Sequence, residues 1–144
     1  MKVKVINLSD NKLPEYATPH SAGLDLRASL KGPLTLRPFE RVIVPAGIQI
    51  ELPEGYEAQI RPRSGMALKQ GISILNAPGT IDADYRGEIK VLLINLSHET
   101  HEINHGDRIA QLIIAPYTKI NWEESSSLTE TDRDQGGYGH SGKN

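Results

Sequence analysis

A glycine-rich segment late in the chain combines residue types that suit binding of a phosphate. Residues 136–142 hold four glycines and Tyr138, and Arg133 precedes them. Glycine lets backbone N–H groups approach an anion closely, and arginine adds a rigid cationic fork. The tyrosine ring offers a flat face for stacking on a base. Taken alone, the segment equally fits a flexible tail without a function.

A second segment, residues 79–87, favours nucleotide chemistry. Two carboxylates, Asp82 and Asp84, and an aromatic residue, Tyr85, lie between two glycines. If the stretch is extended, pleating puts Asp82 and Asp84 on one face and Tyr85 on the other. A carboxylate that a nearby arginine keeps ionised can orient and deprotonate a water molecule. The alternative is a hairpin whose acids are solvated turn residues.

Two further segments could contact an anion. Ser64 is expected to cap a short helix and direct free N–H groups towards a phosphate, with Arg63 beside it as a charged donor. Gln111 is the only polar residue in the apolar run 109–115 and could face a ligand. Each has an ordinary alternative: a helix cap after a strand, and a polar side chain that points to solvent.

Residues 101–105 match the His-Glu-x-x-His pattern of zinc proteases. The pattern binds zinc only on a helix, where residues four apart share a face. No helical apolar stripe surrounds the match. On a strand, four residues span roughly 13 Å, too far for two ligands of one zinc ion. We interpret the match as a coincidence.

Composition narrows the possible functions. The chain has 144 residues, a net charge of −2 and no cysteine. This length fits one domain, and the charge gives no global field towards nucleic acid or a membrane surface. The lack of cysteine excludes disulfides and thiolate chemistry. No apolar run approaches ~20 residues, and the N-terminus reads as a strand rather than a signal peptide. We expect a cytoplasmic protein that binds neither nucleic acid nor a membrane.

Short apolar runs between Gly, Pro and Asn predict an all-β sandwich or barrel. The expected strands cover residues 2–6, 41–44, 48–52, 56–60, 72–75, 89–95 and 109–115. One short helix is expected to begin at Ser64 and end at Gly71. From about residue 121 the sequence becomes polar and then glycine-rich. We therefore expect a core of residues 1–120 and a flexible arm of residues 121–144.

Five segments, in this order, resemble the motifs of the trimeric dUTPase family, the deoxyuridine triphosphate nucleotidohydrolases. They are residues 22–28, 63–67, 79–87 and 106–112, and Arg133 with residues 136–142. The order and spacing of five motifs are far more specific than any one of them. Tyr138 stands where the family usually has phenylalanine, His140 where it has a small hydroxyl residue, and Met66 where leucine is common.

The resemblance implies a distorted jelly-roll β-barrel that forms a homotrimer, with active sites shared between subunits. One subunit would give residues 79–87, a neighbour the first, second and fourth motifs, and the third subunit's tail would close the site. The implied activity is hydrolysis of dUTP to dUMP and pyrophosphate, by attack of water on the α-phosphate. Such an enzyme limits uracil in DNA and supplies dUMP for thymidylate synthesis.

The resemblance also implies roles for individual residues. Asp82 would activate the water, Arg63 would hold Asp82 in place, and Tyr85 would stack beneath the deoxyribose. A Mg²⁺ ion would bridge the triphosphate, with Asp25 reaching it through water. The implied phosphate contacts are Ser64, Gly65, Gln111, Arg133, Gly137 and Gly139, and the implied uracil contacts are Asn76, Thr80, Ile81, Lys90 and Tyr138.

Two other functions are open on the sequence. A dCTP deaminase, or its bifunctional variant, shares this fold but needs a glutamate in the hairpin, where this chain has Asp82, and lacks the glycine-rich tail. A non-catalytic, dUTPase-like binding or signalling module is the other alternative. The presence of Asp82, Arg63 and the tail argues against a non-catalytic module.

Overall fold

The computed structural model describes residues 1–137, which form short strands and a single helix. The strands are β1 (Lys4–Asn7), β2 (Leu24–Arg27), β3 (Leu34–Leu36), β4 (Arg41–Pro45), β5 (Ile48–Glu51), β6 (Tyr56–Arg61), β7 (Ile72–Ile74), β8 (Gly79–Ile81), β9 (Lys90–Asn95), β10 (His101–Ile103) and β11 (Arg108–Pro116), and the helix is α1 (Ser64–Gln70). All seven predicted strands are present, with ends shifted by at most two residues. Strands β2, β3, β8 and β10 are additional.

The strands pair in antiparallel fashion throughout. A four-stranded sheet has the order β2-β11-β6-β8 and a three-stranded sheet the order β4-β9-β7, with two-stranded sheets β1-β5 and β10-β3. The all-β prediction is confirmed. Among the described residues, these four sheets are not closed on one another.

Alternation along the strands builds one core from both larger sheets. In β9, Val91 and Leu93 are fully buried while Leu92 between them is half-buried. Strand β5 alternates in the same way, with Ile48 and Ile50 inside. Each large apolar side chain that is fully buried stabilises the fold by about 1.5–3 kcal/mol. The pattern of apolar residues, rather than any single contact, holds the sheets together.

One polar side chain, Asn95, lies wholly inside this core. Its Nδ2 donates to the carbonyls of Leu36 (3.2 Å) and Glu99 (2.7 Å). Its Oδ1 accepts from the backbone N–H (2.9 Å) and Oγ (2.8 Å) of Ser97. A buried amide with every donor and acceptor used avoids the cost of an unpaired polar group. Asn95 therefore ties the turn after β9 to strand β3.

Helix α1 ends where the sequence predicts but begins differently. Gly71 takes the left-handed conformation (φ 66°) and its N–H reaches back to Ala67, so the predicted stop is confirmed. Ser64 is the first helical residue and Arg63 the cap, with no side-chain cap hydrogen bond. The expectation that Ser64 caps the helix is therefore wrong, because the extended backbone ends at Arg63, one residue earlier than predicted. Among residues 1–137, no helix has the length and apolar character needed to cross a bilayer.

An exposed ion pair joins strands β1 and β5, which form a two-stranded sheet. Lys4 Nζ lies 2.9 Å from Glu51 Oε1, and the two residues face each other across the strands. This hydrogen bond and the charge of Lys4 lower the pKa of the Glu51 carboxyl. Because both groups face water, the pair contributes little to stability.

Candidate active site

Three predicted segments meet in one pocket of about 330 Å³, which we call the Arg63 pocket. Its lining is drawn from the first, second and fourth motifs: Ala22, Gly23, Asp25, Arg63, Ser64, Gly65 and Gln111, together with Ala17, Ser21 and Ile113. Sheet register explains the meeting, because Gln111 on β11 pairs with Asp25 on β2 on one side and with Arg61 on β6 on the other. The motifs are far apart in the chain, but antiparallel pairing makes them adjacent.

Two arginines hold the carboxylate of Asp25. Its Oδ1 accepts from Arg63 Nε at 2.9 Å, and its Oδ2 accepts from Arg108 Nη1 at 3.1 Å. Arg63 Nη1 also donates to the backbone carbonyl of Arg108 at 3.3 Å. Asp25 and Arg63 are both only about one-fifth exposed, so these charge-assisted bonds are partly shielded from water. The arrangement fixes the plane of the Arg63 guanidinium at the edge of the pocket.

Gly23 makes room for Gln111. A Cβ at this position would lie 2.5 Å from Gln111 Oε1, a separation that side chains do not tolerate. On its other end the Gln111 amide donates from Nε2 to the carbonyl of Pro62 at 3.3 Å. The amide is thus held between β2 and the segment that precedes α1, in the pocket that Ser64 and Gly65 also line. This role of Gly23 was not predicted from the sequence.

Asp82 lies in a separate cleft of about 600 Å³, which we call the Asp82 cleft. The cleft is lined by Leu52, Glu54, Glu57, Asp82, Ala83, Asp84, Arg86, Tyr117 and Lys119. Strand β8 ends at Ile81, and the Tyr85 N–H then bonds to the Asp82 carbonyl at 3.1 Å. Residues 82–85 therefore form a turn. The expectation of an extended stretch is wrong, and Asp82 and Asp84 both line the cleft from this turn.

Tyr85 lies flat against the backbone of the same hairpin. Its hydroxyl donates to the Glu88 carbonyl at 3.1 Å, and its ring occupies the space that a side chain at Gly87 would need. The ring remains 43% exposed. Glycine at 87 is what allows the ring to lie over the chain, so Tyr85 presents a fixed aromatic face to solvent.

The residues predicted to bind the base are spread along this hairpin, and they do not gather around a single side chain. Thr80 and Ile81 belong to β8 and pair with Gln59 and Ala58 of β6. Asn76 is exposed in the turn before β8, and its Nδ2 would lie 3.2 Å from a Cβ added to Gly79. Lys90 begins β9 opposite Pro45 and is exposed. These four residues lie on three consecutive elements of the chain.

Arg63 and Asp82 do not meet within one chain. The carboxylate that Arg63 contacts is Asp25, and Asp82 takes part in no ion pair among residues 1–137. The two lie in different cavities, since the Arg63 pocket and the Asp82 cleft share no lining residue. The chain therefore carries two partial sites. Contact between Arg63 and Asp82 of different copies stays a prediction.

The zinc-like pattern has an ordinary structural explanation. His101 begins strand β10 and does not lie on a helix, and its Nε2 lies 3.1 Å from Ser97 Oγ. His105 accepts the Leu30 N–H at Nδ1 (3.1 Å) and lies 2.9 Å from Asp10 at Nε2. Within the described part of the chain, no group of three or more His, Cys, Asp or Glu is placed to bind a metal ion.

Comparisons with known proteins agree with these motifs. The dUTPase family model matches residues 9–142. A deoxyuridine 5'-triphosphate nucleotidohydrolase of Finegoldia magna is 55% identical, over 99% of this chain and 99% of the relative. A protein of the same name from Rickettsia felis is 58% identical, over 99% of this chain and 96% of the relative. The chain belongs to the dUTPase family.

Solved dUTPase structures share the fold. A mutant dUTPase of Staphylococcus bacteriophage 80alpha with dUpNHpp superposes with a TM-score of 0.88 at 24% identity, over 98% of each chain. A mutant dUTPase of phage phi11 of S. aureus, described with a structural Mg(II) ion, gives 0.81 at 24% identity, over 90% of this chain and all of that one. The expected jelly-roll type of β fold is confirmed by this likeness.

The dUTPase tail is described only in part. Arg133 Nε donates to the Gly136 carbonyl at 2.9 Å, and the Gly136 N–H donates back to the Arg133 carbonyl at 2.9 Å. Arg133 and Gly137 are exposed. Tyr138, Gly139 and His140 lie outside the described residues. The predicted phosphate contacts of the tail stay predictions.

Sequence reasoning missed several residues around the two partial sites. Arg108 was not singled out, although it contacts Asp25, and neither were Tyr117 and Lys119, which line the Asp82 cleft. Arg108 carried one signal, because it stands at the start of an apolar strand directly after a Gly-Asp turn. Tyr117 and Lys119 follow β11 and carry no local pattern of their own.

Proposed function

We propose that this chain is a dUTP diphosphatase, which hydrolyses dUTP to dUMP and pyrophosphate by attack of water on the α-phosphate. The observation that carries the proposal is the likeness to deoxyuridine 5'-triphosphate nucleotidohydrolases at 55–58% identity over 99% of the chain. The fold match and the two partial sites support it. The enzyme would act on a free nucleotide in the cytoplasm, without nucleic acid or membrane partners, and so limit uracil in DNA.

Asp82 would accept the proton of the attacking water. Its carboxylate is exposed at the Asp82 cleft and takes part in no ion pair among residues 1–137, so it is free to orient a water molecule. General-base catalysis by a positioned side chain contributes about 10²–10⁴-fold to a rate. The turn that begins at Asp82 is closed by the Tyr85 N–H, which donates to the Asp82 carbonyl at 3.1 Å and so holds the backbone that carries the carboxylate.

The Arg63 pocket would bind the phosphates. Arg63 uses two N–H groups on Asp25 and Arg108, and a guanidinium has about five, so about three remain for phosphate or for Asp82 of another copy. Open space lies around Gly65, where an added Cβ would meet nothing within 4 Å, so its backbone is accessible to an anion. Ser64 and Gln111 would add neutral donors, and Arg133, Gly137 and Gly139 would close over the phosphates from the tail.

The hairpin around β8 would bind the nucleoside. Asn76, Thr80, Ile81 and Lys90 would contact the uracil, mainly through the main chain. Tyr85 would stack beneath the deoxyribose, and its hydrogen bond to Glu88 supports a fixed ring position. A fixed ring close to the 2′ carbon leaves no room for a ribose hydroxyl. Tyr138 would cover the base from the tail.

The Asp25 carboxylate fits a magnesium ion only if the ion binds together with the triphosphate. Each oxygen of Asp25 accepts one guanidinium N–H, and a carboxylate offers about four lone-pair sites, so about two remain for metal-bound water. Mg²⁺ keeps several waters and needs one or two carboxylates when phosphates supply other ligands. Asp25 would thus hold a hydrated ion through water, and the ion when bound would neutralise phosphate charge.

Assembly into a homotrimer would complete the site. The separation of Asp82 from Arg63 within the chain supports this proposal, because one copy offers the hairpin and another the phosphate pocket. Closed cyclic symmetry would give each copy the same two roles. Residues 1–120 would form the core of each copy, and residues 121–144 would be the arm that closes a site.

The first test is pyrophosphate release with dUTP, dCTP, dTTP and UTP. We expect dUTP to be hydrolysed far faster than the other three. Release of ammonia from dCTP would instead identify a deaminase. Binding of dUTP without turnover would identify a non-catalytic module, and either result contradicts the proposal.

A mixing experiment tests the shared site. Asp82→Asn chains and Arg63→Ala chains should each be nearly inactive, and each retains the group that the other lacks. If they are unfolded and refolded together at equal amounts, random assembly gives intact Asp82–Arg63 pairs at about one quarter of the sites, because neighbours combine independently in a ring. Recovery of about that fraction of wild-type activity supports the model. A mixture no more active than either parent refutes it.

A further inference from the structure

A bulge in β11 turns Arg108 towards Asp25. The register of β11 against β2 pairs Gln111 with Asp25 and then slips by one residue, so that Arg108 pairs with Arg27. Residues three apart in a regular strand face opposite sides, and one extra residue brings them to the same side. Ile109 and Ala110 are buried in succession, as the extra residue requires. Arg108 and Gln111 therefore share the face that carries Asp25.

Arg108 contacts both charged members of the Arg63 pocket. Its side chain donates to Asp25 Oδ2 at 3.1 Å, and its carbonyl accepts from Arg63 Nη1 at 3.3 Å. Yet Arg108 does not line that pocket. It lines a neighbouring cavity of about 260 Å³ on the other side of Asp25, which also includes Lys12 and Arg27. Its influence on the phosphate pocket must pass through Asp25 and Arg63.

We propose that Arg108 is a positioning residue, which sets the orientation of Arg63 by holding the far oxygen of Asp25. The inference rests on the proposed function, since it concerns phosphate binding at that site. With both oxygens engaged, the Asp25 carboxylate cannot rotate, and the Arg63 Nε bond then fixes the guanidinium plane. Without Arg108, the carboxylate keeps one partner only and can turn with Arg63. Misplacement of a substrate-orienting group by about 1 Å costs on the order of 10²-fold in rate.

Two substitutions at Arg108 and one control separate this role from charge alone. Arg108→Gln should lower kcat for dUTP by about 10²-fold, since misplacement acts on the reacting geometry, with a much smaller change in KM. Arg108→Lys can still pair with Asp25, so it should recover most of the loss. Arg27→Gln is the matched control, because Arg27 lies opposite Arg108 and bonds only to the Gly106 carbonyl (2.8 Å) among residues 1–137. We expect it to keep wild-type kcat.

A double-mutant cycle with Asp25→Asn gives the deciding result. Residues that act through one another are non-additive, so Arg108→Gln should cost little more once Asp25 is an amide. A full additional loss in the Asp25→Asn background would mean that Arg108 contacts the substrate itself and would overturn the proposal. An equal loss of kcat in Arg27→Gln and Arg108→Gln would mean that only the loss of one positive charge matters. That result would also overturn the proposal.

Melting temperatures separate a loss of folding from a loss of activity. The wild-type assay separates failure of the positioning role from failure of the proposed function. If Arg108→Gln fails to fold, Arg108→Lys carries the test: because the lysine retains the ion pair, its kcat should stay near the wild-type value, and a kcat as low as that of Asp25→Asn would overturn the proposal. Wild-type activity on dUTP together with full activity of Arg108→Gln refutes the positioning role alone. An inactive wild-type enzyme refutes the proposed function, and the positioning role with it.

Discussion

Replacing Gly23 by alanine should damage the Arg63 pocket far more than the fold. The added Cβ would lie 2.5 Å from Gln111 Oε1, 3.2 Å from Ile113 Cδ1 and 3.3 Å from Gln111 Cβ. The closest atom is the end of a flexible side chain, which can swing away, while Ile113 needs to give only slightly. We therefore expect a cost near the low end of overpacking, about 1 kcal/mol. For a chain of this length that lowers Tm by about 2–4 °C.

The activity loss follows from where the Gln111 amide goes. Once displaced, the amide would leave the place that it holds in the Arg63 pocket, and a phosphate bound there would lose one donor. A hydrogen bond to a charged group contributes about 1.5–3 kcal/mol. At about 1.36 kcal/mol per tenfold in rate, this predicts a fall of about 10- to 150-fold in kcat/KM for dUTP.

Pyrophosphate release and Tm should be measured on the same sample of Gly23→Ala. Gly32→Ala is the matched control, since an added Cβ there meets nothing within 4 Å, and it should leave both quantities unchanged. In a Gln111→Ala background, Gly23→Ala should cost no further activity, because the displaced group is already gone. Full activity of Gly23→Ala, or an additional loss without Gln111, would refute the reasoning.

Three further predictions concern the hairpin and the tail. Asp82→Asn should bind dUTP normally but lose about 10²–10⁴-fold in kcat, while Asp84→Asn, from the same turn, should stay within a few-fold; equal losses would remove Asp82 as the base. Tyr85→Ala should raise the ratio of UTP to dUTP hydrolysis, whereas Tyr85→Phe keeps the ring and should not; an unchanged ratio would place the ring elsewhere. Truncation after Ser127 should leave Tm and assembly intact and lower turnover by orders of magnitude, and a fully active or unfolded product would contradict a closing tail.

Elements with a clear alternating pattern could be predicted from the sequence, and most of the three-residue strands could not. Ile48-Gln49-Ile50-Glu51 alternates apolar and polar residues between turn residues, and it forms β5. Strands β3, β8 and β10 have three residues each, which is too few for a period of two to stand out. Their pairing comes from neighbours in the sheet, such as the contact of β10 with β3.

The sequence singled out Asp25, Arg63 and Asp82, which line the two partial sites, but it did not predict how their charges pair within the chain. Resemblance assigned Arg63 to Asp82, while its partner within the chain is Asp25, 38 residues away. Arg108 reaches Asp25 across 83 residues, and only because a bulge shifts the register by one. A bulge leaves no composition signal in so apolar a strand. The long-range register of the strands therefore determines how these charges pair, and local sequence patterns could not predict it.

The charge balance of each partial site bears on why assembly would control catalysis. Arg63 at its pocket and Arg108 on the other side of Asp25 surround one carboxylate with two guanidinium groups, which leaves one positive charge in excess around Asp25. In the Asp82 cleft, Glu54, Glu57, Asp82 and Asp84 outnumber Arg86 and Lys119. Opposite potentials attract and set orientation when surfaces meet. The side of the chain that would take phosphates thus carries excess positive charge before any substrate binds. The residue proposed to deprotonate water lies on a surface of opposite sign, so chemistry would begin only where two copies bring these surfaces together.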